Sequence, residues 1–275
     1  LFLVPFIGVE VKGSKRWIDL FFLPRFQPIE VLKPFLIIIL ATILCDIKSN
    51  ILFKYLLSIF VISVISLLLI AQPDIGQTLL VVFCWAVLIF TSGINIYILL
   101  AIFIAGASLL TYLIIYVPKF DYIQGRIFSF FNREIGTHNF QSDKAIESIT
   151  SGGFFGKGIG EGVLKNRVPE AHTDYIISVI SEEFGVVAIM LILLLFLILI
   201  YMVFKKISFE TNDKVKLILI GSISLILMQA TIHIGVNIRL LPTTGMTLPF
   251  LSYGGSSIIS TSILAGIILN LTKRK

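Results

Sequence analysis

Seven long apolar runs separated by polar segments constrain this chain more than any other feature. They are Pro28–Cys45, Leu52–Ala71, Thr78–Ser92, Ile96–Val117, Tyr175–Phe204, Val215–Ile234 and Ser256–Leu271. A helix needs roughly 20 apolar residues to cross a bilayer. The apolar positions come in blocks, so they read neither as half-buried strands nor as helices with one wet face. With no water in the bilayer core, only helices and closed barrels satisfy every backbone N–H and C=O. The runs therefore predict an all-α, polytopic integral membrane protein. Composition agrees, with 57% hydrophobic and 14% charged residues, where soluble domains carry about a quarter charged.

Two runs are irregular. Thr78–Ser92 is short and is expected to extend towards Gly76, or to tilt. Tyr175–Phe204 carries Glu182 and Glu183 in its first third. That first part is expected inside the protein, with the lipid-spanning part starting near Gly185. Leu1–Val9 is apolar but too short to span. With no initiator Met it reads as the tail of a helix in an N-terminally truncated chain, and it lacks the basic n-region of a signal peptide.

The formal net charge is +6, but the basic residues flank hydrophobic spans and form no soluble basic domain. Nucleic acid is excluded as a partner; anionic headgroups or a phosphorylated substrate suit these cations better. Lys48, Lys54, Lys205, Lys206, Lys214, Lys216, Lys273, Arg274 and Lys275 gather on one side of the seven crossings, which the positive-inside rule makes cytoplasmic. The long segment 118–173 is then extracytoplasmic. So is Glu10–Gln27, although it holds Lys12, Lys15, Arg16 and Arg25, a violation that suggests an anion-binding task on the outer face. Cys45 and Cys84 lie in apolar runs and make no disulfide framework. His138, His172 and His233 have no metal-ligand spacing.

Chemistry gathers at five places. In the cationic loop, Pro28 suits the first turn of a helix, placing Glu30 and Lys33 on one face. They are read either as a local ion pair, with Arg16 snorkelling and Trp17 in an aromatic belt, or with Arg25 and Lys33 as a pyrophosphate clamp at the outer rim. In Gln72-Pro73-Asp74-Ile75-Gly76, Asp74 is placed to cap the following helix. In the long loop, Ser151-Gly152-Gly153-Phe154-Phe155-Gly156-Lys157-Gly158-Ile159-Gly160 is rich in glycine. It fails the P-loop pattern at Ser151 and Gly158, and it fails the dinucleotide pattern as well. It is either a surface loop or a functional one. In Pro169-Glu170-Ala171-His172-Thr173-Asp174-Tyr175, an ionisable group sits at the mouth of a bilayer segment, a functional-site hypothesis by default. Asp174 could act as a general base or merely cap its helix. Finally, Leu241 to Ser257 has two prolines and several glycines beside a membrane helix. It is read as a substrate-lined re-entrant loop or a simple turn.

These motifs in this order resemble the SEDS family (shape, elongation, division and sporulation). The matching residues are Arg16-Trp17-Ile18, Gln27-Pro28-x-Glu30-x-x-Lys33, Gln72 through Gly76 and Gln141-Ser142. They continue with Ser151-Gly152-Gly153, Gly156-Lys157-Gly158, Pro169 through Asp174, Glu182-Glu183-x-Gly185 and Leu248 through Ser257. The resemblance covers essentially the whole chain, and Thr247–Ser257 looks closer to the family's division members than to its elongation members. It implies one membrane domain over 1–275, holding the 118–173 loop and lacking roughly the first three of about ten helices. It also implies a peptidoglycan glycosyltransferase that polymerises lipid II at the outer face of the bacterial inner membrane, at the division septum. Asp174 matches the family's essential aspartate, Lys33 the lysine that pairs with it, and Arg25 a nearby functional cation. Arg16, Trp17, His172, Glu170, Lys157, Ser252 and Gly254 complete the expected substrate-binding set.

The resemblance leaves room for a divalent cation, Mg2+ or Mn2+, on the pyrophosphate. The implied partners are lipid II, a class B penicillin-binding transpeptidase and other division-machinery membrane proteins. The chain departs from the family where Phe131-Asn132-Arg133 follows Arg126-Ile127, and at Ile29. Two other classes remain open: a lipid II flippase, which would place its charges near the midplane, and a non-catalytic divisome scaffold.

Overall fold

The computed structural model describes residues 1–11, 14–20, 23–46, 50–131 and 138–273. Lys12, Gly13, Lys48, Asn132, Arg133, Arg274 and Lys275 lie outside the described residues, as do the side chains of Arg126, His138 and Lys165. In chain order the elements are α1 (Val4–Ile7), β1 (Val9–Val11), β2 (Ser14–Leu20), β3 (Leu23–Phe26), α2 (Pro28–Leu44), α3 (Ile51–Ala71) and α4 (Ile75–Thr91). They continue as α5 (Ile96–Tyr116), α6 (Asp121–Phe131), α7 (His138–Gly152), α8 (Ile176–Phe209), α9 (Asp213–Asn237) and α10 (Gly255–Lys273).

Each of the seven apolar runs is a helix. Among the described residues, α3, α5, α8, α9 and α10 are long and apolar enough to cross a membrane. The other two, α2 and α4, have 17 residues each, about 26 Å of helix for a hydrocarbon core of about 30 Å.

Two segments expected as loops hold regular elements among their described residues. Glu10–Gln27 contains a three-stranded antiparallel sheet in the order β1-β2-β3, with Val9 opposite Trp17 and Ile18 opposite Phe26. Segment 118–173 holds α6, α7 and 3-10 turns at Pro118–Phe120 and Leu164–Arg167.

The chain divides into two compact units, 1–110 with 202–226 and 255–275, and 111–201 with 227–254. In the first unit, α2 packs on α3, α4 and α10, while β2 packs on α1 and α2, and β3 on α10. Its core includes Ile37, Leu40, Leu80, Leu88, Ile223 and Leu264. Lipid tails are as apolar as Leu, so helices in a bilayer associate through close packing and small residues. Gly221 illustrates this: a Cβ there would lie 2.7 Å from Ile37 Cγ2 and 3.1 Å from Leu88 Cδ2.

In the second unit, α7 meets the start of α8 through small residues. Ser148 Oγ donates to Ser178 O at 3.2 Å, Ser181 Oγ donates to Ile149 O at 3.3 Å, and a Cβ on Gly152 would strike the Ser181 carbonyl. The helix α8 breaks at Gly185 (φ 75°, ψ −175°), where the sequence placed the start of the lipid-spanning part. Before the break Ile177, Ser178, Ser181 and Glu182 are buried; after it Val186, Val187, Met190 and Leu191 are exposed.

The glycine-rich run closes that break. Lys157 N and Gly158 N donate to Glu182 O and Glu183 O at 2.9 and 3.0 Å, while Val186 N and Val187 N donate to Gly153 O and Phe154 O at 3.0 and 3.2 Å. The backbone groups freed by a helix break are thus re-satisfied, as membrane depth requires. The run's glycines are needed for backbone contact: a Cβ at Gly156 or Gly185 would strike the carbonyl of Glu183 or Phe154. Gly185→Ala is expected to destabilise the protein by at least about 1–3 kcal/mol, the cost of a side chain in that backbone region. Thermal unfolding of the purified variant measures it, and an unchanged midpoint would refute the backbone lock.

Candidate active site

One polar centre forms in the first unit. Pro28 starts α2 and sets Glu30 one turn before Lys33. Lys33 Nζ lies 2.8 Å from Glu30 Oε2 and 3.2 Å from Gln77 Oε1, and Gln77 Nε2 donates to Glu30 Oε1 at 2.6 Å. Lys33 is 0% exposed. A charge so buried survives only with such partners. Asp74 caps α4 as expected, accepting Gln77 N at 3.3 Å, and it also accepts Gln27 Nε2 at 3.0 Å and lies 3.4 Å from Arg16. Burial pushes its carboxyl above the usual range, opposed by Arg16 and by the Gln77 amide.

The two cations read as an outer-rim clamp, Arg25 and Lys33, have different surroundings. Lys33 is enclosed and compensated by Glu30 and Gln77, whereas Arg25 is exposed at 59% and only 3.9 Å from Asp19. The alternative local pair of Glu30 and Lys33 is what forms. Arg16, with its Asp74 partner, is mostly buried, and Trp17 sits in β2 opposite Val9.

The second unit builds the Asp174 turn. Glu170 takes a left-handed backbone (φ 57°), and its carbonyl accepts the amides of Thr173, Asp174 and Tyr175 at 3.1, 3.1 and 3.3 Å. This coil ends where α8 begins. The Asp174 carbonyl accepts Asn237 Nδ2 at 3.0 Å, so both backbone groups of the residue are held. Its carboxylate lies against the backbone of Gly245, where a Cβ would stand 3.6 Å from Oδ2.

Segment 241–254 is fastened from two sides. On α9, Gln229, His233 and Asn237 recur every four residues and share a face. Gln229 Nε2 donates to Thr247 O at 3.0 Å, His233 Nδ1 bonds Met246 O at 2.8 Å, and Asn237 reaches Asp174 O and His233 O. From the other side, Ser252 Oγ donates to Thr173 O at 2.7 Å and accepts Leu248 N at 2.8 Å, and Tyr253 N donates to His172 O at 3.0 Å. Segment 241–254 and the Asp174 turn therefore form one hydrogen-bonded assembly.

Several of the expected substrate-binding residues bond to the backbone or to other side chains. Ser252, expected to bind substrate, is buried and both donates to and accepts from backbone. His172 and Glu170 contribute carbonyls that set the turn, and Glu170 also accepts Thr173 Oγ1 at 3.2 Å. Gly254 follows Tyr253 at the end of the assembly. Lys157, also expected on substrate, lies 3.5 Å from Glu182. Glu182 is fully buried and accepts Ser148 Oγ at 3.0 Å and Leu164 N at 2.9 Å, tying α7, α8 and the turn after the glycine run together.

Gln229, His233, Asn237, Gln77 and Gly245 were missed as site residues. The signal for the α9 residues was available: polar side chains at a spacing of four, two inside the run Val215–Ile234 and the third just past it. Arg239, read only as a loop charge, pairs with Asp143. Among the described residues no three His, Cys, Asp or Glu side chains cluster as metal ligands.

A helical membrane domain in which the Asp174 turn is hydrogen-bonded to segment 241–254 defines a class of polytopic membrane protein. The chain matches the cell cycle protein family of FtsW, RodA and SpoVE over residues 1–275, and it belongs to that family. It is 33% identical over 283 residues to "Probable peptidoglycan glycosyltransferase FtsW" of Caulobacter vibrioides, covering 99% of this chain and 69% of that one. It is 36% identical over 282 residues to the protein of the same name in Francisella salina, covering 98% and 68%. A solved chain from work on structural coordination of polymerization and crosslinking by a peptidoglycan synthase complex superposes with a TM-score of 0.81 at 27% identity, covering 99% of this chain and 77% of that one. The rod shape determining protein RodA of Thermus thermophilus superposes at 0.67 with 30% identity, covering 98% and 72%.

Proposed function

We propose that this chain is a peptidoglycan glycosyltransferase that polymerises lipid II. The relatives' names and the solved synthase support the activity, and the Asp174 turn carries the reading. Asp174 is the catalytic base. It takes the proton from the 4-hydroxyl of the acceptor N-acetylglucosamine, and that oxygen forms a bond to C1 of the donor N-acetylmuramic acid. The C1–O bond to undecaprenyl pyrophosphate breaks, its electron pair leaves with the pyrophosphate, and the anomeric centre inverts. A positioned base contributes about 10²–10⁴-fold to such a step.

The residues around Asp174 supply position. Glu170 curls the turn, while Asn237 and Ser252 hold its carbonyls, so the carboxylate is presented with little reorganisation. Arg25, exposed and loosely paired, is the proposed contact for the pyrophosphate. No step is routed through Mg2+ or Mn2+, because the described side chains offer no cage for either. A divalent ion would arrive bound to the pyrophosphate, as Mg2+ commonly does with phosphates. The proposed setting is the outer face of the bacterial inner membrane at the division septum, with a class B penicillin-binding transpeptidase as partner.

The test is strand synthesis from purified lipid II by the full-length protein with its transpeptidase. Glycan strands from the wild type support the reading. Their absence from a folded preparation that binds lipid II would move it towards a flippase or scaffold. Asn237→Leu is expected to lower kcat about tenfold, equivalent to about 1.4 kcal/mol, with KM little changed. A change confined to KM would show that Asn237 does not position Asp174.

A further inference from the structure

The glycine-rich run carries three large apolar side chains exposed to its surroundings: Phe154 at 74%, Phe155 at 85% and Ile159 at 78%. Scattered exposed apolar residues need no explanation, but a group of them marks an interaction surface. The position of the run along α8 says which surface. Lys205 and Lys206 mark one edge of the lipid-facing stretch, as basic residues do. From Val186 through Lys205 runs for 20 residues, about 30 Å of helix, which equals the hydrocarbon thickness of about 30 Å. Val186 therefore stands at the opposite edge of the hydrocarbon. Gly153 O and Phe154 O accept the Val186 and Val187 amides, so the backbone of the run is fixed at that same edge.

We infer that Gly153–Gly160 is a membrane-interface anchor, with Phe154, Phe155 and Ile159 seated among the headgroups and first acyl carbons of the bilayer. The partner is the lipid surface itself. Exposed apolar residues continue from the run along α8 through Val186, Val187 and Met190, and Phe side chains commonly form the apolar face of segments lying in the interface. The anchor is coupled to the helix break by four backbone hydrogen bonds. A fifth tie runs from Gly160 N to Glu183 Oε1 at 3.2 Å. Resting on the proposed function, the anchor also sets the height of the Asp174 turn, which leads directly into α8, over a substrate whose lipid tail lies in the same bilayer.

The experiment places Phe155→Trp, and separately Phe154→Trp, in the full-length chain in phosphatidylcholine vesicles. The parent protein's emission is subtracted to remove Trp17, Trp85 and any other tryptophan. Quenching of the difference signal by brominated phosphatidylcholine, with shielding from aqueous iodide, is expected for both variants. Quenching by iodide and not by bromolipid would overturn the anchor. Shielding from both would also overturn it, since protein would then cover the run. Neither readout needs glycan synthesis, so the anchor and the polymerase reading can fail independently.

Discussion

Replacing Asp174 with asparagine is expected to cut glycan synthesis from lipid II by about 10²- to 10⁴-fold, the loss of a positioned general base. The substitution keeps the size of the side chain beside Gly245 and leaves the backbone bonds to Glu170 and Asn237 in place. Thermal stability and lipid II binding should therefore stay near wild type while strands disappear from the gel. Full synthesis by a folded Asp174→Asn protein would remove the base from the mechanism. A fall in stability that accounts for the lost activity would mean the carboxylate serves the fold.

The second large effect is on stability. Glu30→Ala is expected to destabilise the protein by about 3–5 kcal/mol, because it removes the carboxylate 2.8 Å from the ammonium of a fully buried Lys33. Replacing Glu30, Lys33 and Gln77 together with methionine should recover most of that loss, since apolar side chains of similar volume often substitute for a buried ion pair without cost. Thermal unfolding of the purified proteins measures both. Wild-type stability in Glu30→Ala would show that the ion pair does not hold this centre together. The same pair separates two roles for Lys33. A structural cation makes Lys33→Ala lose stability and activity together, whereas a substrate clamp would lose activity alone.

The membrane architecture was legible because bilayer solvation acts through composition over long runs. Seven apolar blocks became seven helices, and two glutamates in an apolar run marked Gly185 as the start of the lipid-spanning part, though not the helix break there. Asp174 was legible as well, as an ionisable group at the edge of a span. The roles of the surrounding residues were not. Lys33 and Arg25 are both cations near one helix start in sequence, yet one is enclosed and the other exposed. The setting of Lys33 depends on Gln77, 44 positions away.

By itself, the sequence determined the class of fold, the positions of the spans and the acidic residue most worth testing. Each follows from solvation rules that act locally along the chain. The tertiary structure decided which polar groups satisfy backbone and which pair with one another. It turned a glycine run that looks like a ligand loop into the seal of a helix break, and Ser252 into a fastener of the Asp174 turn. Hydrogen bonds are directional and short, so the partner of a buried polar group is set only when distant segments meet.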